Sequence, residues 1–407
     1  MIVRRVALAA SIAVTAVIAI AQAGADSTVP TFRALCTTGP IRCTSLLRTD
    51  LPIVAAAQVA HDGYGPADLH AAYRLPTTGG SHQTVALVDA YDDPTIEQDL
   101  ATYRAYYGLP PCTTANGCFR KVNQDGEQGN YPIANPDWEP EEALDVEMVS
   151  AICPKCHIIL VEANSADEAN VASSPLTHSD LGAAVDTAAN LGATEISNSY
   201  GSVGPETDNT FWDHYYDHPG IAVTVSSGDE DYGIAWPASS PYVTAVGGTS
   251  LVKDSSARGW SETVWGSIGG GLPSDGQGAG SGCSTFEPKP AWQHDAGCSG
   301  RTVADVSAVA DPNTGVAIYD SSPEIGGWGV VGGTSVASPV IAAVYALAGN
   351  AAKVVYGSYS YGHTSHLFDI TQGTNFTPSQ VCGYLCTGGP GYDGPTGNGT
   401  PNGTGAF

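Results

Sequence analysis

From residue 84 onward the apolar positions come in short β-branched blocks that alternate with longer amphipathic stretches. Thr84–Asp89 (Thr-Val-Ala-Leu-Val-Asp) and His157–Glu162 (His-Ile-Ile-Leu-Val-Glu) predict buried strands, as do Ala193–Ser197, Ile221–Ser226 and Tyr242–Val246. Between them, Pro94–Tyr107 predicts a helix with proline in its first turn. Leu181–Leu191 and Glu206–His218 predict two more, and Thr334–Gly349 is an apolar, alanine-rich helix ended by glycine. Strands alternating with helices predict an α/β domain with a mostly parallel sheet. Such sheets keep their chemistry in the loops beyond the carboxyl ends of the strands. Residues 26–62 lack this periodicity and read as a short N-terminal extension, whereas no linker or repeat divides residues 63–407.

The N-terminus fixes the expected compartment. Arg4-Arg5 precede an uncharged apolar run, Val6–Ala21, followed by the small-x-small sites Ala21-Gln22-Ala23 and Ala23-Gly24-Ala25. The run does not exceed the roughly 17–20 residues a membrane-spanning helix needs, and no stop-transfer flank follows. Residues 1–25 therefore read as a cleaved signal peptide of a secreted protein that keeps no membrane anchor.

The ten cysteines agree, falling into five neighbouring couples: Cys36/Cys43, Cys112/Cys118, Cys153/Cys156, Cys283/Cys298 and Cys382/Cys386. Structural disulfides suit an exported chain, with nearest-neighbour pairing the simplest of many connectivities. Cys153-Pro-Lys-Cys156-His157 also has the spacing of half a zinc site or a lone haem attachment.

Charge narrows the partners. Across 407 residues, 15 Lys+Arg stand against 41 Asp+Glu, a net charge of −26. So acidic a surface repels phosphate backbones and anionic headgroups, which disfavours nucleic acid and membrane-surface partners. With 42% hydrophobic and 14% charged residues, the chain is expected to be compact.

Three segments carry chemistry. Gly332-Gly-Thr-Ser-Val-Ala-Ser-Pro339 opens the alanine-rich helix, where backbone N–H groups and the helix dipole favour negative charge beside Ser335. An ordinary N-cap would read the same way. Ser226-Ser-Gly-Asp229 places Asp229 just past a strand end, and a plain Asx turn is the alternative there. In Trp138-Glu-Pro-Glu-Glu-Ala-Leu-Asp-Val-Glu147, Glu141 and Asp145 lie four apart and share a helix face. A solvated acidic face is the bland reading, but Leu144, Val146 and Met148 require part of this helix to be buried.

Gly333 to Pro339 resembles the Gly-Thr-Ser-x-x-x-Pro nucleophile turn of subtilisin-like serine peptidases. None of the ten histidines stands in the His-Gly-Thr context of a subtilisin base. With Glu-x-x-x-Asp, Ser-Gly-Asp and Gly-Thr-Ser in that order, the chain resembles the sedolisins, or serine-carboxyl peptidases. The resemblance runs from Gly63-Tyr-Gly-Pro-Ala-Asp-Leu69 to the C-terminus. It includes Trp236–Ser250 and Asp305-Val-Ser-Ala-Val-Ala-Asp-Pro312.

It implies a subtilisin-like three-layer α/β fold with a mostly parallel central sheet. Ser335 is then the nucleophile, Glu141 its general base and acid, and Asp145 the partner that orients Glu141. Asp229 would be the oxyanion donor. A carboxylate base suits acid: at pH ~4 a histidine of pKa ~6.5 is less than about 1% neutral, whereas a Glu of pKa ~4.3 is poised to exchange protons.

The resemblance also implies one structural Ca2+, held by the Asp369 and Asp393 carboxylates and the carbonyls of Ile370, Gly389 and Gly391. The function expected is a secreted, monomeric, acid-acting endopeptidase on polypeptide substrates. An exopeptidase of tripeptidyl-peptidase type and an inactive binding protein on the same scaffold are the alternatives. Two features depart from the family pattern: the extension 26–62 stands where a large prodomain is usual, and Tyr200 replaces a tryptophan.

Overall fold

The β-branched blocks pair side by side into an eight-stranded sheet. The computed structural model describes residues 30–55, 62–166, 178–266, 277–376 and 382–407, and the Val6–Ala21 run with its cleavage sites lies outside them. In spatial order the strands are Trp260–Val264, Thr244–Lys253, Ala222–Ser226, Glu195–Asn198, Thr84–Ala90, His157–Ala163 and Phe119–Asn123. Val306–Val309 also pairs with Thr244–Lys253. All pairings are parallel except that of Thr244–Lys253 with Trp260–Val264.

Thr84–Ala90 is buried at every position after the first, so both faces of the sheet are covered there. Asp180–Asn190 packs on Thr84–Ala90 and His157–Ala163. Its start is fixed by Ser179, whose hydroxyl accepts the Gly182 N–H at 2.8 Å. Glu139–Ile152 and Thr334–Ala348 pack on each other and against the sheet. Val88 pairs with Val161 and Asn198, Asn198 with Val225, and Ser226 with Val246, so these strands finish nearly level. Asp89, Ser199 and Ser227–Asp229 therefore emerge side by side.

Two elements differ from the sequence expectation. Glu206–His218 is not an α-helix; only a 3₁₀ stretch, Thr210–Tyr216, forms. Asp208 Oδ1 accepts the Thr210 N–H at 3.2 Å and its hydroxyl at 2.7 Å, a turn that delays the helix until 210.

The extension, moreover, is woven into the molecule. Phe32–Ala34 and Leu46–Arg48 join Gly327–Gly332 and Val316–Asp320 in a four-stranded sheet. Ile41–Cys43 pairs with Tyr200–Ser202. All five neighbouring cysteine couples are disulfide-bonded, which leaves Cys153 and Cys156 without a thiolate for metal or haem. Among the described residues no helix is long and apolar enough to cross a membrane.

Candidate active site

Ser335 stands in the first turn of Thr334–Ala348, directly after Gly332-Gly333. Gly333 has φ +102, and a Cβ there would come within 2.2 Å of the Thr44 carbonyl oxygen and 2.6 Å of Asp229 Oδ2. Only glycine fits, and the two oxygens flank the same point. The Ser335 N–H donates to the Thr44 carbonyl at 2.9 Å. Ser335 Oγ accepts the Thr44 N–H at 3.0 Å and lies 3.1 Å from the Ser199 carbonyl.

Asp229 follows the strand Ala222–Ser226 on the Ser-Ser-Gly turn. Its Oδ1 accepts the Thr334 N–H and hydroxyl, each at 2.8 Å. Oδ2 is buried without a hydrogen-bond partner on the side facing the Thr44 carbonyl. Burial pushes Asp229 up to about 7, against the pull of the Thr334 hydrogen bonds.

Glu141 and Asp145 project from successive turns of Glu139–Ile152, a helix buried along its whole length. Burial raises the Glu141 carboxyl well above the ordinary value, and the Asp89 charge adds to this. The hydroxyls of Ser335 and Ser45 lie close enough to oppose that rise. Both Glu141 oxygens nonetheless lack a well-formed hydrogen bond.

Asp145 is likewise raised by burial, then by Asp89 and Glu141, and is lowered by Ser199. The Ser199 hydroxyl donates to Asp145 Oδ1 at 2.8 Å, which fixes the carboxyl beside Glu141. Three acids this close cannot all be ionised in a buried site, and shared protonation is the stable state.

Asp89 was not singled out from the sequence. It sits near the carboxyl end of Thr84–Ala90, fully buried, with neither oxygen hydrogen-bonded. Burial pushes it up to about 7. The signal was present, since Thr84–Asp89 is an apolar strand ending in a charge at the edge where such sheets do chemistry. Ser199 and Thr44 were also missed, being polar residues without a motif of their own.

The five residues of the expected calcium loop also come together. Asp369 Oδ2 accepts the Gly391 N–H at 3.0 Å, and Asp393 Oδ2 accepts the Gly389 N–H at 3.1 Å. A Cβ on Gly388 would lie 3.1 Å from the Ile370 carbonyl oxygen. The set offers two carboxylates and several carbonyls, a hard-oxygen composition. Among the described residues no group of three or more His, Cys, Asp or Glu side chains is placed to hold a metal. A cation at this loop would have to take most of its ligands from backbone oxygens.

A cleft of about 620 Å³ opens beside Asp229, walled by Thr44, Ser45, Gly201, Ser202, Gly228 and Ala235.

This arrangement, a serine at a helix start beyond a parallel sheet with buried acids around it, has the architecture of the subtilisin-like class. A model of the subtilase family matches residues 134–361, more than half of the chain, and the chain belongs to that family. It is 30% identical to kumamolisin of Bacillus sp. (strain MN-32) over 374 residues, covering 84% of this chain and 63% of that protein. It is 36% identical to sedolisin of Pseudomonas sp. (strain 101) over 207 residues, covering 44% of this chain and 33% of that protein. The chain thus spans less than two thirds of the length of these relatives. The solved structure of Pseudomonas sedolisin, a serine-carboxyl proteinase complexed with two molecules of pseudo-iodotyrostatin, superposes with a TM-score of 0.68 at 26% identity. That superposition covers 84% of this chain and 96% of the solved one. Within the subtilases, the similarity is to sedolisins.

Proposed function

We propose that this protein is a secreted, acid-acting endopeptidase that hydrolyses polypeptides through an acyl-Ser335 intermediate. Ser335 Oγ attacks the substrate carbonyl while Glu141 takes its proton. Asp145 holds Glu141 in place and shares the remaining proton of the pair. The developing oxyanion lies between the Ser335 N–H and Asp229 Oδ2, which donates because acid keeps it protonated. Glu141 then gives its proton to the leaving amine, and water repeats the sequence to release the acyl group.

The observation that carries this reading is the buried, partnerless Asp229 Oδ2 beside the position taken by a peptide carbonyl. Endopeptidase action is favoured because backbone runs through the cleft on both sides of Ser335, at Ile41–Cys43 and at Leu46–Arg48. The serine-carboxyl proteinase whose solved structure superposes on this chain supports the reaction class. The loop of Asp369, Ile370, Gly389, Gly391 and Asp393 is proposed to hold one Ca2+, whose charge would tie the C-terminal turns together. Secretion as a monomer, with residues 1–25 removed, completes the proposal.

The test is hydrolysis of a denatured protein at pH ~4 with calcium present, products being read by mass. Internal cleavages by the wild type are expected, with a loss of about 10⁴-fold or more in Ser335→Ala. Equal rates in the two would leave a non-enzymatic binding role. Tripeptides released only from the amino terminus would instead make it an exopeptidase.

A further inference from the structure

Ser335 stands at the end of the strand Glu195–Asn198, its Oγ 3.1 Å from the Ser199 carbonyl. From there charged groups continue across the sheet. The next strand, Thr84–Ala90, carries Asp89, and the one after it, His157–Ala163, carries Glu162. Phe119–Asn123, at the edge of the sheet, carries Lys121. Asp89 pairs with Glu162 and Glu162 with Asn123, so Asp89, Glu162 and Lys121 point to one face of the sheet. Glu142 follows Glu141 on the helix Glu139–Ile152 and lies against this face. Glu162, Asp93 and Asp89 act on it there, and Lys121 does so with the opposite sign. Asp89 in turn acts on Glu141 and Asp145.

The two ends of this file differ. Asp89, Glu142 and Glu162 are fully buried. Both oxygens of Asp89, both of Glu142 and Oε2 of Glu162 lack a hydrogen-bond partner among the described residues. Five such oxygens are costly to keep if they only fill space. At the outer end Lys121 Nζ donates to Glu162 Oε1 at 2.9 Å, to the Asp93 carbonyl at 2.8 Å and to Asp92 Oδ1. The Asp92 carboxyl also hydrogen-bonds that of Glu162. The side chains of Lys121 and Asp92 are 13% and 14% exposed, so the file ends in water. Burial raises Glu142 well above the ordinary value and Glu162 up to about 8, so in acid both carry the O–H that a proton hop requires. Glu142 and Glu162 do not line the cleft beside Asp229.

We propose that Glu142 and Glu162 relay protons from the solvent at Asp92 to Glu141, behind the cleft, while a polypeptide covers the serine. This rests on the peptidase reading above. In acid the departing amine ends as an ammonium ion and so gains two protons. The first comes from Ser335 through Glu141, and the second is the proton that Glu141 and Asp145 share. Asp89 then gives its proton to Glu141, Glu142 gives one to Asp89, and Glu162 gives one to Glu142. Glu162 is refilled from the water at Asp92. Each carboxyl in the file loses one proton and gains one, so one hydronium ion is consumed and the protein is unchanged. Each hop runs directly between carboxyls or over one bridging water. Neither glutamate touches the substrate; both are positioning residues that act through Glu141.

The test compares wild type with Glu142→Gln, whose amide keeps the shape but cannot pass a proton on. Rates are measured in H2O and D2O, on a denatured protein that fills the cleft and on a short peptide that leaves Glu141 open to water. On the protein substrate kcat should fall about tenfold at unchanged KM, and its D2O effect should exceed that of the wild type. On the short peptide the variant should keep nearly the wild-type rate. Glu142→Asp, which retains a carboxyl, should recover most of the loss. Glu162→Gln should repeat the pattern, and the double variant should be no slower than either single one. It also serves as the second probe should Glu142→Gln not fold. Equal losses on both substrates with a wild-type D2O effect would make the two glutamates structural and overturn the relay. Wild-type rates on both substrates would overturn it as well, and either result leaves the peptidase standing. If the wild type cuts neither substrate, the peptidase reading falls and takes the relay with it.

Discussion

A carboxylate beside a developing oxyanion repels it, so Asp229 can act in the proposed mechanism only while it carries a proton. Its folded value of about 7 lies above the ordinary aspartate value near ~3.9, and burial is the main cause. Below pH ~7 Oδ2 donates; as pH rises through that value the donor is lost and a repulsive charge replaces it. The alkaline limb of kcat should therefore fall near pH ~7. Asp229→Asn keeps a donor with no proton to lose, so its alkaline limb should move upward. Asp229→Ala removes the donor and should lower kcat about 10²–10³-fold across the range. Profiles of kcat against pH for the three proteins check this, and an Asn variant with the wild-type limb would exclude the role. Asp89 acts on the same balance from the other side. When it is neutral, the charge that raises Glu141 and Asp145 most, after burial, disappears.

Elements with a side-chain period were readable from the sequence, and those built by backbone alone were not. Thr84–Ala90, His157–Ala163 and Thr334–Ala348 lie within a residue or two of their predicted bounds, because their burial imposes a composition. The catalytic candidates were readable because turn glycines and strand ends fix their motifs. Ile41–Cys43 and Leu46–Arg48 are three-residue strands held by ladder hydrogen bonds and by edges far off in sequence, which leaves no local period. So nothing in the local sequence reveals that Thr44-Ser45 lie over the serine. The oxygens around Asp369 and Asp393 are an intermediate case: they are expected from the sequence, and the proposed Ca2+ would tie them together. Chelation should lower the thermal midpoint by several degrees, and Asp393→Asn should both lower it and blunt the effect of chelator. Identical melting with and without chelator would remove calcium from the account.

Across the molecule, acid groups are buried far from the serine as well. Burial pushes Asp93 to about 7, Glu195 to about 8 and Asp320 to about 6. Glu162 is also pushed by burial to about 8, even with Lys121 Nζ 2.9 Å away. All stand above their unfolded values near ~4, so between about pH 4 and 8 the folded state binds more protons than the unfolded chain. Stability must then fall as pH rises, being complete below pH ~4 and lost progressively through about 6–8. The net charge of −26 at pH 7 adds self-repulsion in the same direction. Glu195 isolates the effect, since Oε1 is buried without a partner and Oε2 takes only the Thr194 hydroxyl, at 2.5 Å. Glu195→Gln keeps the shape and removes the ionisation. Its thermal midpoint should match the wild type near pH ~5 and exceed it by a few degrees near pH ~8. If instead the two melting curves stay parallel from pH ~5 to ~8, buried carboxyl protonation is not what binds this fold to acid.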